Sequence, residues 1–494
     1  MCAYAPSVRS RSILAWVLQL ALAVWALGPE AAGRVQMESW AVKGGRMKGG
    51  RMPAMKGRQV PDAALGQTLG SFAPVRGSHL ADRARKFAAW RDLRVAADVW
   101  PYSRTLETCV GPRARASSRQ TGQVVEGISF STQDYLGLSR EPSVHEAVVA
   151  ALAEYGPHAG SSPVLTGHTP LSVALAAQLS ELTGMEHVVL FPTGWGAGFG
   201  VITGLMRRQD HIVLDERAHS CLSQGAHAAT QSVTTATHLD HGSVRERLWA
   251  IRKGDADNAV LVVTEGVYSM DSDAPRLREL QELCREFDAV LLVDVAHDLG
   301  ALGPGGTGQI GIQAMLGEID LVMGSFSKCF ATNGGFVATG SRETAEYLSV
   351  YASSHFFSSA LSPLQAAAAL QSACIIRSVE GERRRADLAR VSDRLRHALS
   401  ARHLSVLGER SAIVPVETGS VAVARLAWSL AERRGLILAL IEFPAVPLGS
   451  ARYRMQVMYD HRLEDMDTAA AVLDESLTEA RALLRTPADG AGGP

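Results

Sequence analysis

Apolar residues in this chain follow two rhythms. Short, nearly continuous apolar runs occupy His187–Phe191, His211–Leu214, Ala259–Thr264, Ala289–Asp294 and Asp320–Met323. Stretches of helical length separate them, for example Ala274–Phe287. Runs that are apolar at every position predict strands buried on both faces. Their alternation with helices predicts a mostly parallel sheet covered by helices, an α/β fold. Elsewhere the spacing is three to four. Val144, Val148, Ala151 and Leu152 place a helix over 141–155, and Leu171, Leu175, Leu179 and Leu182 place another after the Thr169-Pro170 start signal. Ahead of the sheet, residues 77–109 read as largely helical, and 123–131 as a hairpin turning at Glu126-Gly127. Beyond it, a long helix from Ser362 through Arg385 leads into a smaller α+β segment. Strands are predicted there at 404–407, 413–416, 436–438 and 454–458, with a final helix over 463–484.

The amino terminus breaks this pattern. Residues 12–29 are uncharged and mostly apolar, with Arg9 and Arg11 just ahead of them. They read either as a cleaved or organelle-targeting signal core or as a short signal anchor giving membrane association. Residues 44–58 form a basic, Gly/Met-rich near-repeat that cannot bury a core. The expected organisation is therefore a targeting segment and linker (1–75), a helical arm (76–125), a large domain (126–370), a small carboxyl-terminal domain (371–485) and a disordered tail (486–494).

Composition changes little in this picture. Apolar residues make up 47% and charged residues 20% of the 494, as in an ordinary soluble globular chain. A formal net charge of −1 leaves no whole-chain footprint for nucleic acid. The cysteines (Cys2, Cys109, Cys221, Cys284, Cys329, Cys374) show no C-x-x-C pair, so neither a metal site nor a disulfide framework is expected.

Candidate chemistry gathers after the apolar runs, where open α/β sheets bind ligands. Asp294 ends the most apolar run and His297 follows three residues later; Lys328 lies in a loop of small residues, with Ser325 and Ser327 before it and Asn333-Gly-Gly335 after it. A lone lysine in such a place is usually a surface residue. A lysine among hydroxyls and glycines can instead hold an aldehyde cofactor as a Schiff base and later carry a proton. A buried acid such as Asp294 needs a partner, and a protonated pyridine nitrogen would serve. Thr193-Gly-Trp-Gly-Ala-Gly198 joins a strand to a helix and offers free backbone N–H groups to a phosphate. His219, after the next run, could stack on a flat ring.

Further motifs carry a resemblance. Asp134-Tyr-Leu-Gly-Leu138 is similar to an N-D-Y-L-G-L entry segment, with Gln133 for the asparagine. Thr264-Glu-Gly-Val-Tyr-Ser-Met-Asp271 is similar to T-E/D-G-V-F-S-M-D. Phe357–Pro363 resembles F-S/T-T-x-L-P-P, and Arg454, seven residues before His461, matches R-I-S-L-S-A-A-H. Over residues 125–485 the chain thus resembles the α-oxoamine synthases, pyridoxal-phosphate enzymes of fold type I.

The resemblance implies a large domain with a mostly parallel sheet and a smaller carboxyl-terminal α+β domain. It implies pyridoxal 5'-phosphate bound to Lys328, with Asp294 on the ring nitrogen, His219 on the ring face, and His297 and Ser269 near the ring oxygen. Gly194, Trp195 and Ser325 would contact the phosphate. Ser358 and Ser359 would reach the phosphate of a neighbouring subunit, so a homodimer is implied. Arg454 would hold the amino-acid carboxylate. The implied reaction condenses an amino acid with an acyl thioester, carried by CoA or a carrier protein. An aminotransferase or carbon–carbon lyase is the alternative, and a non-catalytic partner subunit a third reading. The chain departs from the family at Gly160–Thr169, where an arginine is missing, and around Gly194-Trp195 and Cys329-Phe330-Ala331. These positions bear on which substrates are accepted.

Overall fold

The computed structural model describes residues 60–73, 76 and 79–485. The apolar stretch 12–29, the basic near-repeat 44–58 and the tail 486–494 lie outside the described residues. Among the described residues no helix is long and apolar enough to cross a membrane.

Ordered structure begins earlier than the sequence led us to expect. A short helix at Asp62–Leu65 and a 3-10 turn at Leu69–Phe72 precede residue 75. They hold because two guanidinium groups take up their carbonyls: Arg94 Nε donates to Ala64 O (2.8 Å) and Arg425 Nη1 to Gly66 O (2.6 Å). The arm is also less helical than expected. Its helix spans Leu80–Ala96 and stops where Asp98 adopts a positive φ of 57°. The chain then turns into β1 (Arg104–Leu106), β2 (Arg113–Ser118) and β3 (Val124–Ser129), an antiparallel meander.

The expected turn at Glu126-Gly127 is strand interior. Gly127 is there for close approach, since a Cβ on it would collide with the backbone of Gly435. The true turn is Arg119–Gly122, with Gly122 at φ +69°.

The main sheet contains β4 (His187–Phe191), β5 (His211–Asp215), β6 (Ser232–Ala236), β7 (Val260–Glu265), β8 (Val290–Asp294), β9 (Leu321–Ser325) and β10 (Gly335–Thr339). Their order is β4-β10-β9-β8-β7-β5-β6. All run parallel except β10, which pairs antiparallel with both β4 and β9. The expected apolar runs are these strands; β6 and β10 were not anticipated.

On one face, Ile212, Leu214, Leu261, Val263, Leu292, Leu321, Met323 and Val337 pack with Ala197, Val201 and Ile202 of the helix Gly194–Leu205. The intervening residues Val213, Val262, Leu291, Val293 and Val322 are buried as well. Burial on both faces is why the runs lack a polar alternation. Each fully buried Val or Leu contributes about 1.5–3 kcal/mol.

The remaining strands are β11 (Ser405–Val406), β12 (Ile413–Gly419), β13 (Leu436–Ile437), β14 (Ala439–Ile441) and β15 (Ala451–Gln456). A four-stranded antiparallel sheet has the order β11-β12-β15-β14. β13 leaves that company and joins β3 in parallel, its approach set by the Ile128 N–H donating to Gly435 O (2.9 Å). The single long helix expected from Ser362 is two, Pro363–Ile376 and Val379–Ser400. The break is at Ser378, whose hydroxyl accepts the Gly381 N–H and caps the second helix. The final helix, Leu463–Arg485, lies where expected.

Candidate active site

Four parallel strands end in polar residues at one edge of the main sheet: Asp215 on β5, Glu265 on β7, Asp294 on β8 and Ser325 on β9. Glu265 and Asp294 are register partners, so two carboxyls stand side by side. Beyond these ends opens a cavity of about 270 Å³ lined by Gly194, Trp195, His219, Asp294, His297, Ser325 and Lys328. Seven of the positions singled out in the sequence therefore meet in one place. Thr193, Cys221, Glu265, Ser327 and Asn333 complete much of the wall.

Asp294 is buried, and its Oδ1 accepts the Ala296 N–H at 2.9 Å. Burial raises its carboxyl above the ordinary range, while the charges of Lys328 and His219 pull the other way. Glu265 is raised further, by burial and then by Asp294 itself; its Oε1 accepts the His219 N–H at 2.6 Å. Lys328 is largely buried, which lowers its ammonium against the opposing pull of Asp294 and Glu265. A lysine of this kind has an accessible neutral form.

The lysine loop is closed by the Phe326 N–H donating to Gly334 O (2.9 Å) and the Thr332 N–H to Phe326 O (3.2 Å). His297 is held by the Tyr135 hydroxyl, 2.9 Å from Nδ1, and burial keeps its imidazole neutral. Tyr135 belongs to the Asp134–Leu138 motif, but sequence reasoning assigned it no role. Cys221 and Glu265 were also missed; the only sequence signal for Glu265 was its place inside the T-E-G motif.

The helix Gly194–Leu205 begins at the cavity floor, with the Thr193 hydroxyl accepting the Gly196 N–H (2.9 Å). A Cβ on Gly194 would collide with the Ser325 side chain, so glycine is required for the helix start to sit against β9. A Cβ on Gly335 would meet the Gly194 backbone at 2.6 Å. The Ser325 and Ser327 hydroxyls lie 2.8 Å apart beside this floor. Trp195 stacks on Phe199 with ring centroids 5.1 Å apart.

Four expected site positions lie outside the lining of this cavity. Ser269 is buried in the turn beyond β7. Ser358 is half-buried and Ser359 exposed, after the short helix Ser353–Phe356. Arg454, on β15, also stands outside the lining, yet its charge is felt at Lys328, His219 and His297. Its Nη1 lies 3.9 Å from Met270 Sδ, its Nε is buried without a partner, and among the described residues it forms no ion pair. A second hollow of about 460 Å³, lined by Thr132, Gln133, Asp134, Thr332 and Gln365, shares Ser327, Lys328 and Asn333 with the first.

These residues fit pyridoxal phosphate. Asp294 offers a buried carboxyl to a ring nitrogen, Lys328 an amine to an aldehyde, and the glycine-floored helix start a place for phosphate.

A family model of class I and II aminotransferases matches residues 125–473. An 8-amino-7-oxononanoate synthase of Halorhodospira halophila is 35% identical over 401 residues, 80% of this chain and 95% of that protein. The enzyme of that name from Salmonella arizonae is 35% identical over 347 residues, covering 70% of this chain and 88% of its own. A solved serine palmitoyltransferase from S. paucimobilis, with PLP bound, superposes with a TM-score of 0.76 at 26% identity, over 82% of this chain and 100% of that one. Fold and site together define a pyridoxal-phosphate enzyme of fold type I. The chain belongs to the class I and II aminotransferase family and, within it, to the α-oxoamine synthases, which are acyltransferases.

Proposed function

We propose that this enzyme condenses an α-amino acid with an acyl thioester. The amino acid loses its carboxylate as CO2, and an α-amino ketone and a free thiol leave. The observation that carries this reading is Arg454, a guanidinium with no carboxylate partner among the described residues, whose charge reaches the cavity. A cation left unpaired in a folded protein suits an anionic ligand, here the amino-acid carboxylate.

Bound pyridoxal phosphate supplies an aldehyde for the amine and an electron sink in its ring. Asp294 would hold the ring nitrogen protonated. Gly194, Trp195 and Ser325 would hold the phosphate, and His297, fixed by Tyr135, the ring oxygen side. His219 would cover the ring face and reach the thioester carbonyl; the buried Ser269 is assigned to the ring oxygen side with His297. Lys328 Nζ takes the α-proton, a task for which its lowered basicity suits it. A homodimer is part of the reading, with Ser358 and Ser359 reaching the partner's phosphate, and so is the division into a large domain (126–370) and a small one (371–485).

Purified protein should carry pyridoxal phosphate with a visible absorbance band, and Lys328→Ala should abolish that band. The variant should lose turnover by about 10³-fold or more. Free thiol should appear with each turnover. A keto acid formed without thiol release would overturn the reading.

A further inference from the structure

His219 faces the cavity with one ring nitrogen already committed. Its Nδ1 accepts the backbone N–H of Cys221 (3.3 Å), and the Cys221 Sγ stands 3.0 Å from the same nitrogen. A backbone N–H can only donate, so Nδ1 must carry a lone pair. The sulfur can then approach so closely only as a thiol that donates its proton to that lone pair. Burial and the neighbouring carboxylates of Asp294 and Glu265 push the Cys221 thiol up and keep the proton on sulfur. The sulfur occupies the space left by the missing side chain of Gly198, where a Cβ would meet it at 2.5 Å. The backbone of His219 is anchored separately, by its N–H to Glu265 Oε1.

Resting on the function proposed above, we infer that Cys221 is a positioning residue: its backbone N–H and its thiol together hold His219 in the tautomer protonated at Nε2, and the thiol adds to the stability of that neutral form. The cavity then faces a fixed N–H donor. Such a donor stabilises negative charge building on the thioester carbonyl oxygen. It cannot accept a proton, so the α-proton falls to Lys328 Nζ alone. The groups bearing on this imidazole are Asp294 at the end of β8, Lys328 in the loop after β9, Arg454 on β15 and Glu265 at the end of β7. None of them touches Nδ1, so the tautomer is decided by Cys221.

Two-bond 1H–15N spectra of the full-length, cofactor-loaded protein labelled with 15N-histidine test this, with His219 assigned through His219→Asn. In the wild type, Nδ1 should show a pyridine-type and Nε2 a pyrrole-type shift. Cys221→Ala keeps the backbone donor but loses the thiol, and should raise the His219 protonation midpoint by about one pH unit, the worth of one neutral hydrogen bond. The acid limb of kcat/KM should move with it. Cys221→Ser, which restores a donor, should titrate as the wild type. A pyrrole-type Nδ1 in the wild type, or a Cys221→Ala midpoint equal to the wild type's, would overturn the inference. The spectra need no amino acid or thioester. Failure of thiol release would therefore sink the proposed reaction and leave the tautomer result standing.

Discussion

Among the buried charged side chains of the described residues, two groups are treated in opposite ways. Where the amino-terminal arm meets β14, Arg425 pairs with Glu442, and both side chains are 1% exposed. Arg425 also donates to Gly66 O and Gln67 O, each at 2.6 Å, and Arg94 donates to Ala64 O and Gln67 O while its guanidinium lies 3.4 Å above the Trp90 ring. At the cavity, Asp294 has one backbone donor, Lys328 a nearby pair of acids and Arg454, among the described residues, no ion-pair partner. Desolvation opposes the charged form in both places. In the first the cost is offset by other protein groups, so the charges hold the fold. In the second it is left for a ligand to offset, and that is what makes a site.

The contrast can be broken most sharply at Arg425. Arg425→Met strands Glu442 and the Leu65 carbonyl, and should destabilise the protein by about 3–5 kcal/mol in urea denaturation. A smaller loss than about 1 kcal/mol would mean the pair is not structural. Arg454→Met should do the reverse. Stability should hold or rise, while KM for the amino acid rises about 100-fold with kcat less affected, as steady-state kinetics would show. If Arg454→Met instead unfolds the protein, the two regions are alike and the comparison fails.

A third, smaller cluster sharpens it. His238 Nδ1 lies 2.9 Å from Asp215 and Nε2 lies 3.1 Å from Asp273. Burial alone would lower this imidazole, but the two carboxylates outweigh it and raise it to about 9. The folded state therefore binds the proton more tightly than the unfolded state, whose midpoint is near 6.5. The added stability is complete below pH 6.5 and is lost as pH rises toward 9. Denaturation midpoints should fall by the equivalent of about 3 kcal/mol over that window, and His238→Gln should flatten the slope. Like Arg425, His238 spends its charge on the protein.

The same distinction explains what could be read from the residues. Asp294, His219 and Lys328 were legible because each follows a strand buried on both faces, and strand ends in such sheets are where ligands bind. Glu265 and Cys221 were not, since their importance lies in register and turn geometry: Glu265 matters because it stands opposite Asp294, and Cys221 because its helix turns it back on His219. The misplaced hairpin has a similar origin. A glycine after a glutamate looks like a turn, and nothing local says that Gly127 instead makes room for Gly435. β10 was overlooked because its opening glycines looked like loop. Its apolar residues come into play only once β4 and β9 flank it.

That last strand has a consequence for how the protein is made. Among the described strands β10 alone joins β4 to β9. Until residues 335–339 have left the ribosome, β4 has no neighbour on that side and the helix start at Gly194 has no floor at Gly335. The nascent chain thus exposes an apolar, unpaired strand edge throughout the synthesis of β5 to β9. It is at risk of aggregation during that interval, and it completes its catalytic hollow in one late insertion.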